Sequence, residues 1–221
     1  MCGQFAILGS LKAIKDYYEF LKGGNFVLDE DDFYGFDTIP HLKQHTSQPP
    51  PCKWGGKGGG KYYHAVLPCD SIKPMMYVPI VVVNKKLEIN SDEIGKRINF
   101  LPARWGLVPF WAKDESFAYK TINARQETLS QKASFKYAYE QRRCLVPFTG
   151  YYEREERGGK LHYFSNEKND FKSFAGLFEI WGDEKLITFT IVTCPAIGEV
   201  AKVHQRMPMI LNEEEAIKWI A

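Results

Sequence analysis

The chain has 221 residues, of which 44% are hydrophobic and 25% are charged. This composition is typical of a folded globular protein and excludes an intrinsically disordered chain. The formal net charge of +2 is too small for a general polyanion binder, so any contact with nucleic acid has to come from a local basic patch.

The predicted elements begin almost at the amino terminus. Residues 3–8 have the composition of a short strand, and residues 11–21 have apolar side chains at helical spacing that stop at Gly23 and Gly24. Residues 25–61 contain three consecutive prolines and several glycines. We therefore predict a loop insertion at about 25–61.

From residue 62 onward the sequence is rich in predicted strands. They cover residues 62–67, 76–83, 99–108, 143–147, 151–155, 162–165, 173–180 and 187–193. Helices are predicted only at 134–141 and 213–220, and Gly158-Gly159 indicates a hairpin between two of the strands. Because strands and helices do not alternate, we predict a single α+β domain over 1–221, built on a curved, mainly antiparallel sheet.

Several classes of protein are disfavoured by simple counts. The longest apolar run, residues 75–83, is too short to span a bilayer, and the first residues do not resemble an export signal. The five cysteines are odd in number and contain no CxxC pair, so we expect reduced thiols in a cytoplasmic protein. No metal-ligand spacing is present, and we expect neither a metal nor another cofactor.

The residue after Met1 is Cys2, and its position matters more than its identity. Loss of Met1 would leave an α-amine that titrates near about 8 beside a thiol that titrates near about 8.5. Such a 1,2-aminothiol condenses with an aldehyde to an imine, and the thiolate then closes a thiazolidine ring. The alternative is a small buried residue on the first strand, and for Cys2 taken alone that alternative is favoured.

Residues 105–127 supply candidate contacts to nucleic acid. Trp105 and Trp111 flank a bend, where they either stack on unpaired bases or fill the core. Asn123 offers both a hydrogen-bond donor and an acceptor, and Arg125 can grip a phosphate. The alternative for this second pair is a turn in which Arg125 forms a solvated ion pair with Glu127.

Two further residues are candidates for acid–base chemistry. Glu153 follows two tyrosines on an apolar strand, where a carboxyl group is suited to donate a proton; the alternative is a solvent-facing glutamate. His204 precedes Gln-Arg-Met-Pro and can exchange protons near neutral pH, whereas the alternative is a structural histidine bonded to backbone.

In chain order, these segments resemble the SOS-response-associated peptidase (SRAP) family, which comprises abasic-site shielding proteins. The motifs are MCG at 1–3, ARWGLVPFW at 103–111, NARQET at 123–128, RCLVP at 143–147 with GYYE at 150–153, and HQRMP at 204–208. The resemblance covers nearly the whole chain. It implies a barrel-like α+β fold with a few peripheral helices.

The resemblance also implies a catalytic mechanism. Cys2 would be the nucleophile through both its amine and its thiol, and Asn123 would hold the sugar-derived adduct. Glu153 would act as acid and base in deoxyribose ring opening and imine formation. His204 would assist ring opening and reversal of the crosslink.

The implied partner is single-stranded DNA that contains an abasic site. Arg125 and Arg206 would contact phosphates near the lesion, with Trp105 and Trp111 as base-stacking candidates. The expected protein is a cysteine-dependent, lyase-like crosslinking enzyme that also loses Met1, autocatalytically or through an aminopeptidase. We expect a cytoplasmic monomer, nucleoid-associated if bacterial, without a metal, cofactor or membrane.

Three positions depart from the family pattern. Gln4 stands where the family commonly has arginine, Arg154 where it has tryptophan, and Gln205 where it frequently has aspartate. The first departure removes one expected phosphate contact, and the second changes the packing behind Glu153 or adds a basic contact.

Two other functions fit parts of the sequence. A protease or amidase with an amino-terminal nucleophile would use the same Cys2, Glu153 and His204 on peptide substrates. A non-catalytic single-strand binding module would use Trp105, Trp111 and the lysine-containing glycine loop at 55–61, but would give the acid and the histidine no role.

Overall fold

The computed structural model describes residues 3–24, 26–27, 63–64, 69–84, 96–155, 159–166, 168–183 and 185–221. Cys2 lies outside these ranges. So does most of the loop insertion predicted at about 25–61, of which Phe26–Val27 is described as a short strand.

Strands account for most of the described elements. They are β1 (Gln4–Ile7), β2 (Phe26–Val27), β3 (Tyr63–His64), β4 (Cys69–Ile72), β5 (Met76–Asn84), β6 (Lys96–Trp105), β7 (Asn123–Arg125), β8 (Arg143–Phe148), β9 (Gly150–Arg154), β10 (Leu161–Ser165), β11 (Lys172–Trp181), β12 (Leu186–Pro195), β13 (Arg206–Pro208) and β14 (Ile210–Leu211). The helices are α1 (Leu11–Tyr17), α2 (Lys136–Gln141), α3 (Gly198–Ala201) and α4 (Glu213–Ile220).

Five strands close into a barrel in the order β12-β11-β8-β5-β6, because β6 also pairs with β12. The closing pair is parallel and matches Arg104 with Thr188 and Trp105 with Phe189. The other four pairings around the barrel are antiparallel. The predicted α+β class and the curved, mainly antiparallel, barrel-like sheet are therefore confirmed.

The barrel interior is filled by large side chains that the alternation of each strand turns inward. Trp105, Phe100, Phe174 and Phe189 are all completely buried. Trp105 stacks on Phe189 with ring centroids 6.4 Å apart, and its indole N–H donates to the Ile122 carbonyl at 2.7 Å. Such buried rings dominate the energetics of a core of this size.

A second sheet, in the order β10-β9-β1-β4, lies against the barrel. All of its pairings are antiparallel. The completely buried Phe5 of β1 attaches it, because its ring meets Trp105 edge-on at 5.2 Å and Phe174 at 5.8 Å. The pairing of β1 with β9 sets Gln4 opposite Tyr152 and Phe5 opposite Tyr151.

Most predicted elements are present within a few residues of their predicted bounds, but several short strands escaped prediction, among them β4, β7 and β13. β4 contains the polar pair Asp70-Ser71, and β7 is only three residues long. The helix predicted at 11–21 ends at Tyr17 and continues as a 3₁₀ segment, Tyr18–Gly24. No helix within the described ranges is both long and apolar enough to cross a membrane.

Two of the described cysteines are reduced, as expected, and one is not. Cys144 and Cys194 are free, whereas Cys69 is disulfide-bonded. The expectation is wrong for Cys69 because an odd cysteine count without CxxC spacing does not exclude a disulfide bond.

One buried ion pair lies in the barrel wall. The Glu179 side chain of β11 is 2% exposed and accepts a hydrogen bond from the Arg142 guanidinium at 2.7 Å. Burial raises the pKa of Glu179 from 4.5 to about 7, although the arginine opposes the shift. The raised pKa means that the folded protein holds this proton more tightly than the unfolded chain does.

We therefore predict that Glu179 makes stability fall as pH rises from about 4.5 to about 7. Over that window the folded state binds more protons at this position than the unfolded state, so raising the pH favours unfolding. The side chain of Glu179→Gln cannot titrate. The melting temperature of this variant minus that of wild type should therefore increase as the pH is raised from 5 to 8. Equal shifts of both proteins across thermal scans at these pH values would contradict the prediction.

Candidate functional site

β9 directs Glu153 toward the interior of the protein. Tyr151 and Glu153 are two residues apart on this strand, so their side chains share one face. That face is buried: Tyr151 is 3% exposed and Glu153 only 1%. Burial of a carboxyl group is costly unless polar groups surround it, so glutamate is an unusual residue at a core-facing position.

His204 is the titratable neighbour of this carboxyl group. Its Nδ1 atom lies 4.0 Å from Oε1 of Glu153, and its side chain is 27% exposed. The backbone N–H of Arg206 donates to Nδ1 at 2.9 Å, so a neutral imidazole carries its proton on Nε2. When protonated, Nδ1 can instead donate to the Arg206 carbonyl at 3.1 Å. The structure therefore brings together two of the predicted acid–base groups.

Asn123 and Arg125 are placed by β7, which runs parallel to β12. Asn123 is half-buried opposite Ile191, and Arg125 is exposed opposite Thr193. β13, which follows His204, pairs with the same part of β12 and sets Pro208 opposite Thr193. β12 therefore joins the strand that carries Asn123 and Arg125 to the segment that carries His204.

Arg206 is held in place by a carboxylate. Its guanidinium makes two hydrogen bonds to Glu127, at 2.6 and 3.0 Å, and one to the Thr193 carbonyl at 2.6 Å. The hydrogen bond from Arg206 is the main cause that lowers the pKa of Glu127. The ion pair considered between Arg125 and Glu127 is thus replaced by one between Arg206 and Glu127, because β13 brings residues 79 positions apart into contact.

The two tryptophans have different environments. Trp105 is 0% exposed inside the barrel, so its candidacy as a base-stacking residue is wrong: its ring has no face open to a ligand. Trp111 is 44% exposed, and its indole N–H reaches the Ala133 carbonyl at 3.4 Å. The core interpretation holds for Trp105, whereas Trp111 has an accessible surface.

Gly3 and β1 run beside the strand that carries Glu153. Gly3 is exposed and leads directly into β1, and the first residue of β1, Gln4, lies opposite Tyr152. Glu153 is the next residue along β9. Cys2 lies outside the described residues, so no contact of its side chain is described. Gln4, which replaces the expected arginine, donates to the Ser71 hydroxyl at 3.1 Å.

Two residues near the site were not singled out from the sequence. His162 of β10 lies directly opposite Glu153, and its Nε2 atom is 2.7 Å from Oε1 of Glu155. Glu127 fixes Arg206, as described above. The first position follows from strand register and the second from a contact between distant strands, so neither had a local signal in the sequence.

The arrangement provides a buried carboxyl group beside a histidine, and β7 carries an amide and an exposed arginine. These groups suit proton transfer to and from a bound molecule that carries an anionic portion. Among the described residues, His, Cys, Asp and Glu form no cluster of three or more that could hold a metal ion.

Solved structures share this fold. A crystal structure of a protein from Bordetella bronchiseptica matches with a TM-score of 0.61 at 18% sequence identity, covering 99% of this chain and 88% of that one. A crystal structure from Bacteroides thetaiotaomicron matches with a TM-score of 0.54 at 28% identity, covering 69% of this chain and 66% of that one.

Named relatives are found among bacteria and vertebrates. Abasic site processing protein YoqW of Bacillus subtilis (strain 168) is 38% identical over 140 residues, which are 61% of this chain and 62% of YoqW. Abasic site processing protein HMCES of Gallus gallus is 34% identical over 176 residues, which are 66% of this chain and 52% of HMCES. The match therefore spans about half to three fifths of these relatives.

The family comparison covers the chain from end to end. The model of the SOS response associated peptidase (SRAP) family matches residues 1–221. The motifs at the site, the barrel and the relatives agree with this match, and the chain belongs to the SRAP family.

Proposed function

We propose that this protein processes abasic sites in single-stranded DNA by forming a thiazolidine crosslink through Cys2. Family membership and the names of YoqW and HMCES, both abasic site processing proteins, support this function. The observation that carries it is the buried Glu153 carboxyl group, 4.0 Å from His204, on the strand with which β1 pairs.

Chain connectivity supports the participation of Cys2. Gly3 immediately precedes β1, and β1 starts opposite the residue before Glu153. Consecutive Cα atoms are about 3.8 Å apart across a trans peptide bond, so covalent geometry alone keeps Cys2 next to Gly3. Gly3, the residue to which Cys2 is bonded, leads into the strand that pairs with the strand of Glu153.

The chemistry needs water but no oxidant or reductant. Hydrolysis of the Met1–Cys2 peptide bond, by the protein itself or by an aminopeptidase, exposes the α-amine. Opening of the deoxyribose ring frees the C1′ aldehyde, and the amine attacks it and expels one water to give an imine. The Cys2 sulfur then adds to the same carbon, and its proton passes to the nitrogen. The product is a five-membered ring with no net change in oxidation state.

The remaining site residues take the roles that their placement supports. Glu153, protected from solvent, transfers protons during ring opening and imine formation, and His204 assists ring opening and reversal of the crosslink. Asn123 holds the sugar-derived portion by hydrogen bonds. The protein acts as a single-domain monomer in this proposal.

DNA is gripped mainly through its backbone. The exposed Arg125 contacts a phosphate near the lesion, and Arg206 contacts another by sharing its guanidinium with Glu127 or exchanging partners. Trp111 provides a stacking surface for an unpaired base. Single strands are preferred because a duplex buries the sugar between its neighbours, and base sequence has little influence because phosphates carry no sequence information.

The first prediction concerns Cys2. Wild-type protein that lacks Met1, incubated with a single strand carrying one abasic site, should give a shifted band on a denaturing gel. Cys2→Ala should give no such band, because its amine forms only a hydrolysable imine. With borohydride present, Cys2→Ala should again give a shifted band, because the reductant fixes that imine.

An undamaged strand of the same sequence is the control and should give no band with either protein. A band of equal intensity from wild type and Cys2→Ala without reductant would contradict the proposal. Repeated turnover of peptide substrates in trans, with no DNA adduct, would favour the protease alternative instead.

A second prediction separates chemistry from binding. Glu153→Gln keeps the shape of the side chain but cannot exchange protons, so the rate of adduct formation should fall by about 100-fold or more. His204→Ala should slow both formation and reversal. The affinity of both variants for undamaged single-stranded DNA, measured by fluorescence anisotropy, should remain that of wild type. A rate loss that tracks an equal loss of affinity would argue against an acid–base role.

A further inference from the structure

An exposed aromatic surface lies on the loop that follows β6 and on the first turns of α2. We call the side chains of Phe110, Tyr137 and Arg142 the Phe110 patch. Phe110 is 54% exposed and Tyr137 is 41% exposed, and their rings meet edge-on with centroids 5.1 Å apart. Two adjoining exposed rings are more than the scattered single apolar residues of an ordinary surface.

The Tyr137 side of the patch is anchored to the barrel through Arg142. The Arg142 guanidinium lies 5.1 Å from the centre of the Tyr137 ring and is bound to the buried Glu179 carboxylate at 2.7 Å. One buried acid therefore holds the cation beside the Tyr137 ring. Phe110 packs edge-on against that same ring.

The charges around the patch suit a polyanion. The exposed cations within residues 110–142 are Lys113, Lys120, Arg125, Lys132 and Lys136, and none of them forms an ion pair within the described ranges. Two of the acids in the same segment are already paired, Glu115 with Arg104 and Glu127 with Arg206. The unpaired charge of residues 110–142 is therefore more positive than the net charge of the whole chain suggests.

The patch is also linked to the candidate site along the chain. The segment that begins with Arg125 in β7 leads through Ala133 to Tyr137 in α2. The Trp111 indole N–H reaches the Ala133 carbonyl at 3.4 Å, so Trp111 ties the loop of Phe110 to this connecting segment. A strand bound at Arg125 could continue over Trp111 toward the patch.

We propose that Phe110 and Tyr137 form a second stacking platform, on which unpaired bases that flank the lesion rest while neighbouring lysines contact phosphates. Aromatic rings interleaved with cations are the usual means of binding single strands without regard to sequence. This inference rests on the proposed function, since it assigns the patch to the same DNA strand. Partial exposure of Arg142, at 24%, adds one more cation beside the rings.

The test measures affinity for an undamaged single strand of about 15 nucleotides, by fluorescence anisotropy of an end-labelled oligonucleotide. Phe110→Ala and Tyr137→Ala should each bind on the order of tenfold more weakly than wild type, because each removes one stacked base. Phe110→Tyr should retain wild-type affinity. Leu8→Ala is the matched control: Leu8 is 44% exposed, lies at the other end of β1 from Gly3, and should leave affinity unchanged.

The outcomes separate this inference from the proposed function. If wild type crosslinks the abasic strand but Phe110→Ala and Tyr137→Ala bind undamaged DNA as tightly as wild type, the platform is refuted. If both variants weaken binding while wild type forms no adduct, the platform stands and the proposed chemistry fails. If the patch instead drives self-association, Phe110→Ala should abolish a wild-type dimer in sedimentation without changing DNA affinity, which also refutes the platform.

Discussion

The site depends on the alternation of side chains along β9. Tyr151 and Glu153 must point to the same side of the second sheet, and the barrel covers that side. Tyr151 packs in the core, and Glu153 is buried because it lies on the same face of the strand. Because β1 is the neighbouring strand and begins opposite Tyr152, its first residues lie beside the strand that carries the acid. His204, from the far end of the chain, completes the pair at 4.0 Å.

The barrel provides the buried core, and the side chains of the candidate site lie on strands that this core supports. The aromatic interior around Trp105, Phe174 and Phe189 is completely buried and holds β1 through Phe5. Glu153 projects from β9 of the second sheet, whereas Asn123, Arg125 and Arg206 project from β7 and β13, which both pair with the end of β12. The core thus supports short strands that are too short to be ordered by their own hydrogen bonds, and functional sites are more precise when they are built on such a supported scaffold.

Strand periodicity predicted the fold class and most strands, because β5, β8, β11 and β12 are long and apolar enough to show their pattern locally. β7 was missed because three residues are too few to show a periodic pattern. The strands β6 and β12 were predicted, but nothing in their local sequences indicates that they pair with each other to close the barrel. At the site, the ordered motifs pointed to Asn123, Glu153 and His204, but composition could not distinguish Trp105 in the core from Trp111 at the surface. Likewise, the partner of Glu127 was set by tertiary contact and not by its sequence neighbour Arg125.

Peptide mass spectrometry of the purified protein–DNA adduct tests the central claim most directly, because it identifies the atoms that react. After nuclease and protease digestion, the account predicts a modified peptide that begins at Cys2, lacks Met1, and carries the sugar remnant. Its thiol should also resist alkylation. A remnant attached to an internal lysine, or to a peptide that still carries Met1, would contradict the account.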